Sequence, residues 1–318
     1  MEIASKVDSI DCLNQNIILI IRGLGVFGRN EIVGQKYFDQ AGEKLFVTSI
    51  FATLQGEGPY RGEPAVFVRL AKCNLNCGFC DTFFDDGDWL TIEEIDTRIN
   101  DVIGKHFEGA VPPWANLELA DDGVQVVSRR QMVLVVTGGE PMLQKNLGPF
   151  LEYMSQQFAK TQIESNGTIV QAIPESTTLV VSPKCSEKNG VAIKYLAPRL
   201  EMLARADCLK FVMNADPESP YSSVPDWAHE WHATTGNPVF VSPMNIYNSE
   251  PKKSKQLRAD TNQITIEERS TVDEKISFWE EGLLNMPANQ KNHEYAARYC
   301  LNHGFTLGLQ IHLYASLA

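Results

Sequence analysis

The run Ala71-Lys72-Cys73-Asn74-Leu75-Asn76-Cys77-Gly78-Phe79-Cys80-Asp81-Thr82 places three cysteines within eight residues, directly after the apolar stretch Ala65 to Leu70. Three thiolates on one tight loop can hold three irons of a cubane iron–sulfur cluster and leave its fourth iron open to a small molecule. Competing readings fit less well. A structural zinc site wants four ligands, usually as two pairs on separate loops, whereas this run supplies three on one. An electron-carrying cluster needs a fourth cysteine, whereas Cys12, Cys185, Cys208 and Cys300 are isolated, the usual mark of a small buried hydrophobe. Seven cysteines is an odd number, and with no secretory pattern at the start a disulfide framework is not expected. Reduced thiols in a cytoplasmic protein are.

Around this loop, short β-rich runs recur at Ala65 to Leu70, Met132 to Thr137, Gln162 to Glu164, Thr178 to Val181, Cys208 to Val212, Val239 to Val241 and Thr306 to His312. Most are continuously apolar, which is how strands buried on both faces of a parallel sheet read. Helices are expected from Thr91, where Thr91-Ile92-Glu93-Glu94 forms a capping box, and over Leu147 to Ala159, Thr271 to Leu283 and Asn289 to His303. Strand alternating with helix implies an α/β fold, a barrel or part of one. Gly104 to Arg130, with Pro112, Pro113, Gly123 and the acidic pair Asp121 and Asp122, breaks the rhythm and reads as an insertion on a surface loop. Residues 1–44 read as an N-terminal extension, leaving 45–318 as one catalytic domain; Pro217 to Pro225 and Ser249 to Asn262 read as further loops.

The 318 residues suffice for a sizeable core, and 43% are hydrophobic. With 28 basic and 40 acidic residues the formal charge is −12, which gives no electrostatic footprint for nucleic acid. Lys252, Lys253, Lys255 and Arg258 form the only basic cluster. The longest near-apolar run, Ile17 to Ile21, is too short to span a membrane, so a cytoplasmic location is the default. Gly23-Leu24-Gly25-Val26-Phe27-Gly28 is formally a GxGxxG, with Glu43 beyond it. A dinucleotide fold needs several more strand–helix units before other motifs begin, and a different pattern starts too soon, so a hairpin or an added segment is expected there.

Four polar segments directly follow expected strands: Thr137-Gly138-Gly139-Glu140-Pro141, Ser165-Asn166-Gly167-Thr168, Ser182-Pro183-Lys184 and Ser242-Pro243-Met244-Asn245. Ligands bind at the carboxyl ends of parallel strands, so these four are expected to converge on one mouth. The glycine pair can let backbone approach a ligand or simply make a turn. Asn166 and Thr168 suit the hydroxyls of a ribose, and Lys184 can meet a carboxylate or be solvated.

Cys73-x3-Cys77-x2-Cys80 after a strand, followed by Gly138-Gly139-Glu140-Pro141 after the next, resembles the radical S-adenosylmethionine superfamily. The resemblance implies a four-iron four-sulfur cluster on Cys73, Cys77 and Cys80, with the amino and carboxylate groups of S-adenosylmethionine on the open iron. One electron from an external donor such as flavodoxin then cleaves the sulfonium to a 5′-deoxyadenosyl radical, which abstracts a hydrogen atom from substrate. A narrower likeness follows from Leu54-Gln55-Gly56-Glu57-Gly58, Phe67-Val68-Arg69-Leu70, Cys80-Asp81-Thr82, Thr137 to Gln144, Glu164 to Thr168, Ser182 to Lys184, Leu209-Lys210-Phe211-Val212 and Leu309-Gln310-Ile311-His312. In this order they resemble the 7-carboxy-7-deazaguanine synthase family, from about Phe46 to the C-terminus with 104–130 outside the match.

That resemblance implies a partial, incomplete TIM-type barrel, pairing as a homodimer, and ring contraction of 6-carboxy-5,6,7,8-tetrahydropterin to 7-carboxy-7-deazaguanine with loss of ammonia. Gln55 with the backbone of Leu54 and Gly56 would bind the pterin edge, Glu57 its guanidine-like donors, and Arg69 its carboxylate as a bidentate fork. Thr137, and His312 in the last strand, would also face substrate. Thr82 matches the position whose hydroxyl binds magnesium, a hard cation suited to oxygen ligands. Phe79, Cys80, Asp81, Gly139, Glu140, Ser165, Asn166, Ser182, Pro183, Lys184, Ser242, Pro243, Met244 and Asn245 would bind S-adenosylmethionine. The tail departs from the pattern: a basic residue often follows the histidine, whereas here Leu313-Tyr314-Ala315-Ser316-Leu317-Ala318 does, which leaves no clear role for the Ala318 carboxylate. Ser165 stands where threonine is common. Two other functions compete: a related enzyme that activates a protein glycine or another small molecule, and a binding protein that keeps the cluster without turnover.

Overall fold

A computed structural model describes residues 41–121, 125–188, 190–248, 265–266 and 277–317. The GxGxxG run, Cys12, the basic cluster, the loop expected at 249–262, residues 271–276 of the helix expected at Thr271 to Leu283, and Ala318 lie outside the described residues.

The chain opens with β1 (Leu45–Leu54) and β2 (Pro64–Leu70), an antiparallel pair, and β3 (Asp88–Leu90) joins the free side of β1. Helix α1 (Ile92–His106) starts at the expected capping box, Thr91 and Glu94 each bonding the other's backbone N–H. Then come β4 (Asn116–Asp121), β5 (Gln125–Gly138), α2 (Leu147–Gln157), β6 (Phe158–Ser165) and β7 (Thr177–Val181), followed by a hairpin of β8 (Cys185–Lys188) and β9 (Val191–Tyr195). The last third holds α3 (Leu200–Arg205), β10 (Cys208–Met213), α4 (Asp226–Thr235), β11 (Val239–Pro243), α5 (Met286–His303), β12 (Thr306–Leu307) and the short α6 (Ile311–Tyr314).

Ten strands form one sheet in the order β12-β11-β10-β7-β6-β5-β2-β1-β3, with β4 beside β5. From β2 to β12 every neighbouring pair is parallel, the α/β arrangement of an open, partial barrel. Its outer face is covered by helices whose apolar residues recur every turn: Ile95, Ile99 and Ile103 on α1, Phe150, Leu151 and Met154 on α2, all buried in one core. Each such side chain contributes about 1.5–3 kcal/mol through burial. Among the described residues no helix is long and apolar enough to cross a membrane.

Among the described residues, strand pairing does not close the barrel. The gap is spanned instead by the loop after β1 and the chain after β12. A Cβ on Gly56 would lie 2.8 Å from Leu309 O and 2.9 Å from both Gln310 Cα and Ile311 N, so only glycine lets these backbones meet. The same loop plugs the interior: the Tyr60 and Thr178 hydroxyls are 2.8 Å apart, and the Arg61 guanidinium sits over the Phe240 ring at 5.5 Å.

Four expectations change. The strand expected over Thr306 to His312 stops at Leu307; the backbone turns through Gly308, Ile311 N bonds Leu309 O, and His312 lies in α6. The surface loop expected at 104–130 is not one: residues up to His106 complete α1, and Asn116–Asp121 pairs antiparallel with the long first half of β5, Leu119 opposite Val127. Within the helix expected to end at Leu283, the described residues 277–284 form turns, with Phe278, Leu283 and Leu284 packed on Leu313. At Leu147 to Ala159 the helix yields to β6 at Phe158.

Gln144, one residue past the turn that follows β5, is buried and joins two strands. Its Oε1 accepts from Phe46 N (2.7 Å), and its Nε2 donates to Phe46 O (2.9 Å) and Ala71 O (3.1 Å). Gln144→Leu leaves the Phe46 N–H and the Ala71 carbonyl without these partners, and is expected to lower unfolding free energy by about 2–4 kcal/mol, read from urea denaturation.

Candidate functional site

The carboxyl ends of β2, β5, β6, β7, β10 and β11 surround a cavity of about 220 Å³. Its rim is set by the contact of β2 with β5. These strands pair Arg69 with Thr137 and Leu70 with Gly138, and beyond the ladder Gly139 N bonds Leu70 O and Glu140 N bonds Lys72 O, both at 2.9 Å. Gly138 takes a φ of 124°, and a Cβ there would lie 2.1 Å from Leu70 O. Lys72 itself has a φ of 72°, left-handed backbone that costs a side-chain-bearing residue about 1–2 kcal/mol; its N–H bonds Phe84 O at 2.7 Å. The strained turn aims the cysteine loop across the mouth.

Cys73, Cys77 and Cys80 all line the cavity. Burial pushes the Cys73 thiol up to about 12 and Cys80 to about 11, and Cys77 is raised well above the ordinary thiol value by burial and then by Cys80. Thiols in that condition ionise once a metal centre supplies the compensating charge. Among the described residues no three His, Cys, Asp or Glu side chains form a group for a single metal ion; a cubane carries its thiolates spread around several irons, and the three cysteines on one wall are a donor set of that kind. Asn74 and Gly78 brace the loop: Asn74 Nδ2 donates to Thr168 Oγ1 (2.8 Å), Asn74 Oδ1 accepts from Asn166 Nδ2 (2.9 Å), and Gly78 N donates to Glu187 Oε2 (2.8 Å) on β8.

The four expected strand-end segments do converge. Thr137, Gly138, Gly139, Ser165, Asn166, Ser182, Lys184 and Ser242 to Asn245 line the cavity, as do Gln55, Gly56, Glu57, Arg69, Phe79, Asp81, Thr82 and His312. Leu54, Pro183 and Glu140 are not among its lining residues. Glu140 stands fully buried behind the wall, accepting from Met142 N (3.0 Å), Ser165 Oγ (2.8 Å) and Asn166 N (2.7 Å). Its side chain braces the ends of β5 and β6. Burial raises its carboxyl above the ordinary value despite these donors.

The floor carries residues that sequence motifs contain but do not single out. Lys210, on β10, lies 2.9 Å from Glu57 Oε2 and 2.5 Å from Glu164 Oε2. Glu164 Oε1 also accepts from Gln55 Nε2 (3.3 Å) and Gln162 Nε2 (3.1 Å). Burial is the largest influence on the Glu57 carboxyl and would raise it, but Lys210, the Ser242 hydroxyl and His312 together outweigh it and the net shift is downward; burial would lower the Lys210 ammonium, and Glu164 and Glu57 together raise it. Gln310 spans the mouth, its Oε1 accepting from Asn245 Nδ2 (2.6 Å) and its Nε2 donating to Asp81 Oδ2 (3.2 Å). Burial and then Arg69 hold His312 down at about 4, so its ring is neutral at physiological pH. Its Nδ1 is buried with no hydrogen-bond partner among the described residues, which suits a cavity built around a polar ligand.

No family model matches the chain. The 7-carboxy-7-deazaguanine synthase of Rickettsia prowazekii is 32% identical over 225 residues, covering 71% of this chain and 81% of that protein. The enzyme of the same name from Rhodospirillum rubrum is 32% identical over 235 residues, covering 70% and 84%. The Escherichia coli one is 30% identical over 150 residues, covering 46% and 64%. A crystal structure of QueE from Escherichia coli, 20% identical, aligns with a TM-score of 0.48 over 85% of this chain and 96% of that one.

Glu57 has a carboxyl lowered by folding, so its stabilising effect is present above the ordinary value of 4.5 and is lost as pH falls through the lowered one. Glu57→Gln is expected to be roughly 2–3 kcal/mol less stable than wild type near neutrality, with the gap shrinking below pH 4.5. Urea unfolding across that range measures both.

Proposed function

The chain belongs to the 7-carboxy-7-deazaguanine synthase family, and from that membership we infer that it contracts 6-carboxy-5,6,7,8-tetrahydropterin to 7-carboxy-7-deazaguanine with loss of ammonia, a radical lyase step of deazapurine biosynthesis. The observation that carries the reading to particular residues is the pairing of Arg69 and a charge-fixed Glu57 in one cavity with three cysteines. Arg69 offers a fork for the substrate carboxylate. Glu57, kept ionised by Lys210, accepts from the guanidine-like edge of the ring, and Gln55 and Gly56 add amide contacts. Thr137, beside Arg69 in register, faces the same ligand, and neutral His312 presents Nδ1 to it.

Cys73, Cys77 and Cys80 would hold a four-iron four-sulfur cluster. Phe79, Asp81, Gly139, Ser182, Lys184 and Ser242 to Asn245 would hold S-adenosylmethionine, and Thr82 a magnesium ion. When bound, this set supplies one-electron cleavage of the sulfonium and hydrogen-atom abstraction from substrate, with a donor such as flavodoxin providing the electron. The protein's own part is placement and exclusion of water. Lys184, bonded to Ser182 O (2.8 Å) and Oγ (2.6 Å), sets a cation beside Cys77 that offsets thiolate charge. Met244, buried at the end of β11, and Phe79, whose ring meets Tyr221 edge-on at 5.1 Å, form an apolar flank.

Anaerobically reconstituted protein given the carboxytetrahydropterin, S-adenosylmethionine, magnesium and reductant should form 7-carboxy-7-deazaguanine, detected by absorbance and mass. No product from protein with an intact cluster would refute the assignment. Cys77→Ala should lose cluster absorbance and product together. Arg69→Gln should keep the cluster and raise KM by about tenfold to a hundredfold, the cost of an unpaired carboxylate.

A further inference from the structure

Glu57 and Glu164 come from the loop after β1 and the end of β6, and Lys210 from the middle of β10; the three side chains meet with no more than 15% of any exposed. Glu164 has both oxygens engaged, Oε2 by Lys210 and Oε1 by Gln55 and Gln162. Glu57 binds the same ammonium through Oε2. We propose that Lys210 is a positioning residue for substrate: by pairing with both carboxylates it fixes the cavity floor at one net negative charge and turns Glu57 toward the N–H donors of the ring. This rests on the synthase reading and deepens it.

Two carboxylates sharing a buried site cannot both stay ionised without a cation, and one of them rises strongly. The other charged or titratable groups facing this triad do not replace Lys210. Lys184 is committed to Ser182 and its own ammonium is lowered, by burial and then by Lys210. His312 is held neutral by burial and then by Arg69, and Arg69 is the group that would meet the substrate carboxylate. Cys208, below Glu164 and Lys210, is a buried thiol pushed up to about 12. With Lys210 present the floor has a settled charge and accepts neutral N–H donors. A floor that gained or lost a proton near neutral pH would bind the same ring in two ways.

Lys210→Met is the direct test. In infrared difference spectra of the reconstituted protein it should show a carboxylic-acid carbonyl band that titrates between about pH 6 and 9 and that wild type lacks. Its KM for the carboxytetrahydropterin should rise at least about tenfold and follow the same titration, with kcat changed less. The double variant Lys210→Met/Glu164→Gln again carries one net negative charge. It should lose the band and return KM to within about threefold of wild type, whereas Glu164→Gln alone, with no net charge, should stay about tenfold weaker. If Lys210→Met does not fold, the last two variants make the same comparison. A double variant no better than Glu164→Gln overturns the inference, as does a folded Lys210→Met with wild-type KM and no band. The infrared signal needs no turnover: the band without product formation by wild type would refute the synthase reading and leave the charge-fixing role standing.

Discussion

Two backbone hydrogen bonds, Gly139 N to Leu70 O and Glu140 N to Lys72 O, hold the ends of β2 and β5 together where both leave the sheet. From that join a circuit of buried polar contacts runs around the mouth. The Glu140 carboxylate takes the Asn166 amide and the Ser165 hydroxyl at the end of β6; Asn166 reaches Asn74; and Asn74 lies in the loop that starts from β2. Each member fixes the next, so the cysteine loop is positioned by hydrogen bonds that return to their origin. In a dry interior such a circuit rigidifies only when every member is satisfied. The buried Glu140, raised by desolvation yet given three donors, is the point where that condition is strictest.

The site divides by charge as well as by layer. The cysteine wall is a place where negative charge is disfavoured, because burial raises all three thiols. The floor is the reverse: there charge is already present and compensated, with Lys210 between two glutamates. Buried pairs of this kind gain little stability over apolar packing, but breaking one is costly. Their presence beneath a ligand cavity fits a demand of binding better than a demand of folding.

Much of this was readable in advance because it is local. A capping box, a glycine pair after a strand, and polar residues following apolar runs are short-range signals, and they located α1, the mouth and most of its lining. What was missed is what depends on distance along the chain. Lys210 is 153 residues from Glu57 and 46 from Glu164, and a lone lysine in an apolar strand carries no mark of its partners. Glu140 was expected at the ligand because its neighbours are there; its own side chain points behind the wall. The strand expected through His312 failed for a tertiary reason, since the backbone at Leu309 to Ile311 bends to meet Gly56. The hairpin of β4 and β5 was hidden by prolines and acids that read as a loop, although the Asp122-Gly123 pair is itself a hairpin signal.

The seam at Gly56 gives the barrel the mechanics of a split hoop. A closed sheet widens only by breaking ladder hydrogen bonds along the length of a strand. Here the two lips are pressed together by van der Waals contact between bare backbones, and one lip carries Glu57 while the other carries Gln310 and His312. Contacts of that kind part at little cost compared with a ladder. The same seam therefore fixes the distance between floor and rim, so the spacing of Glu57 from Gln310 and His312 is set by how closely two backbones can meet.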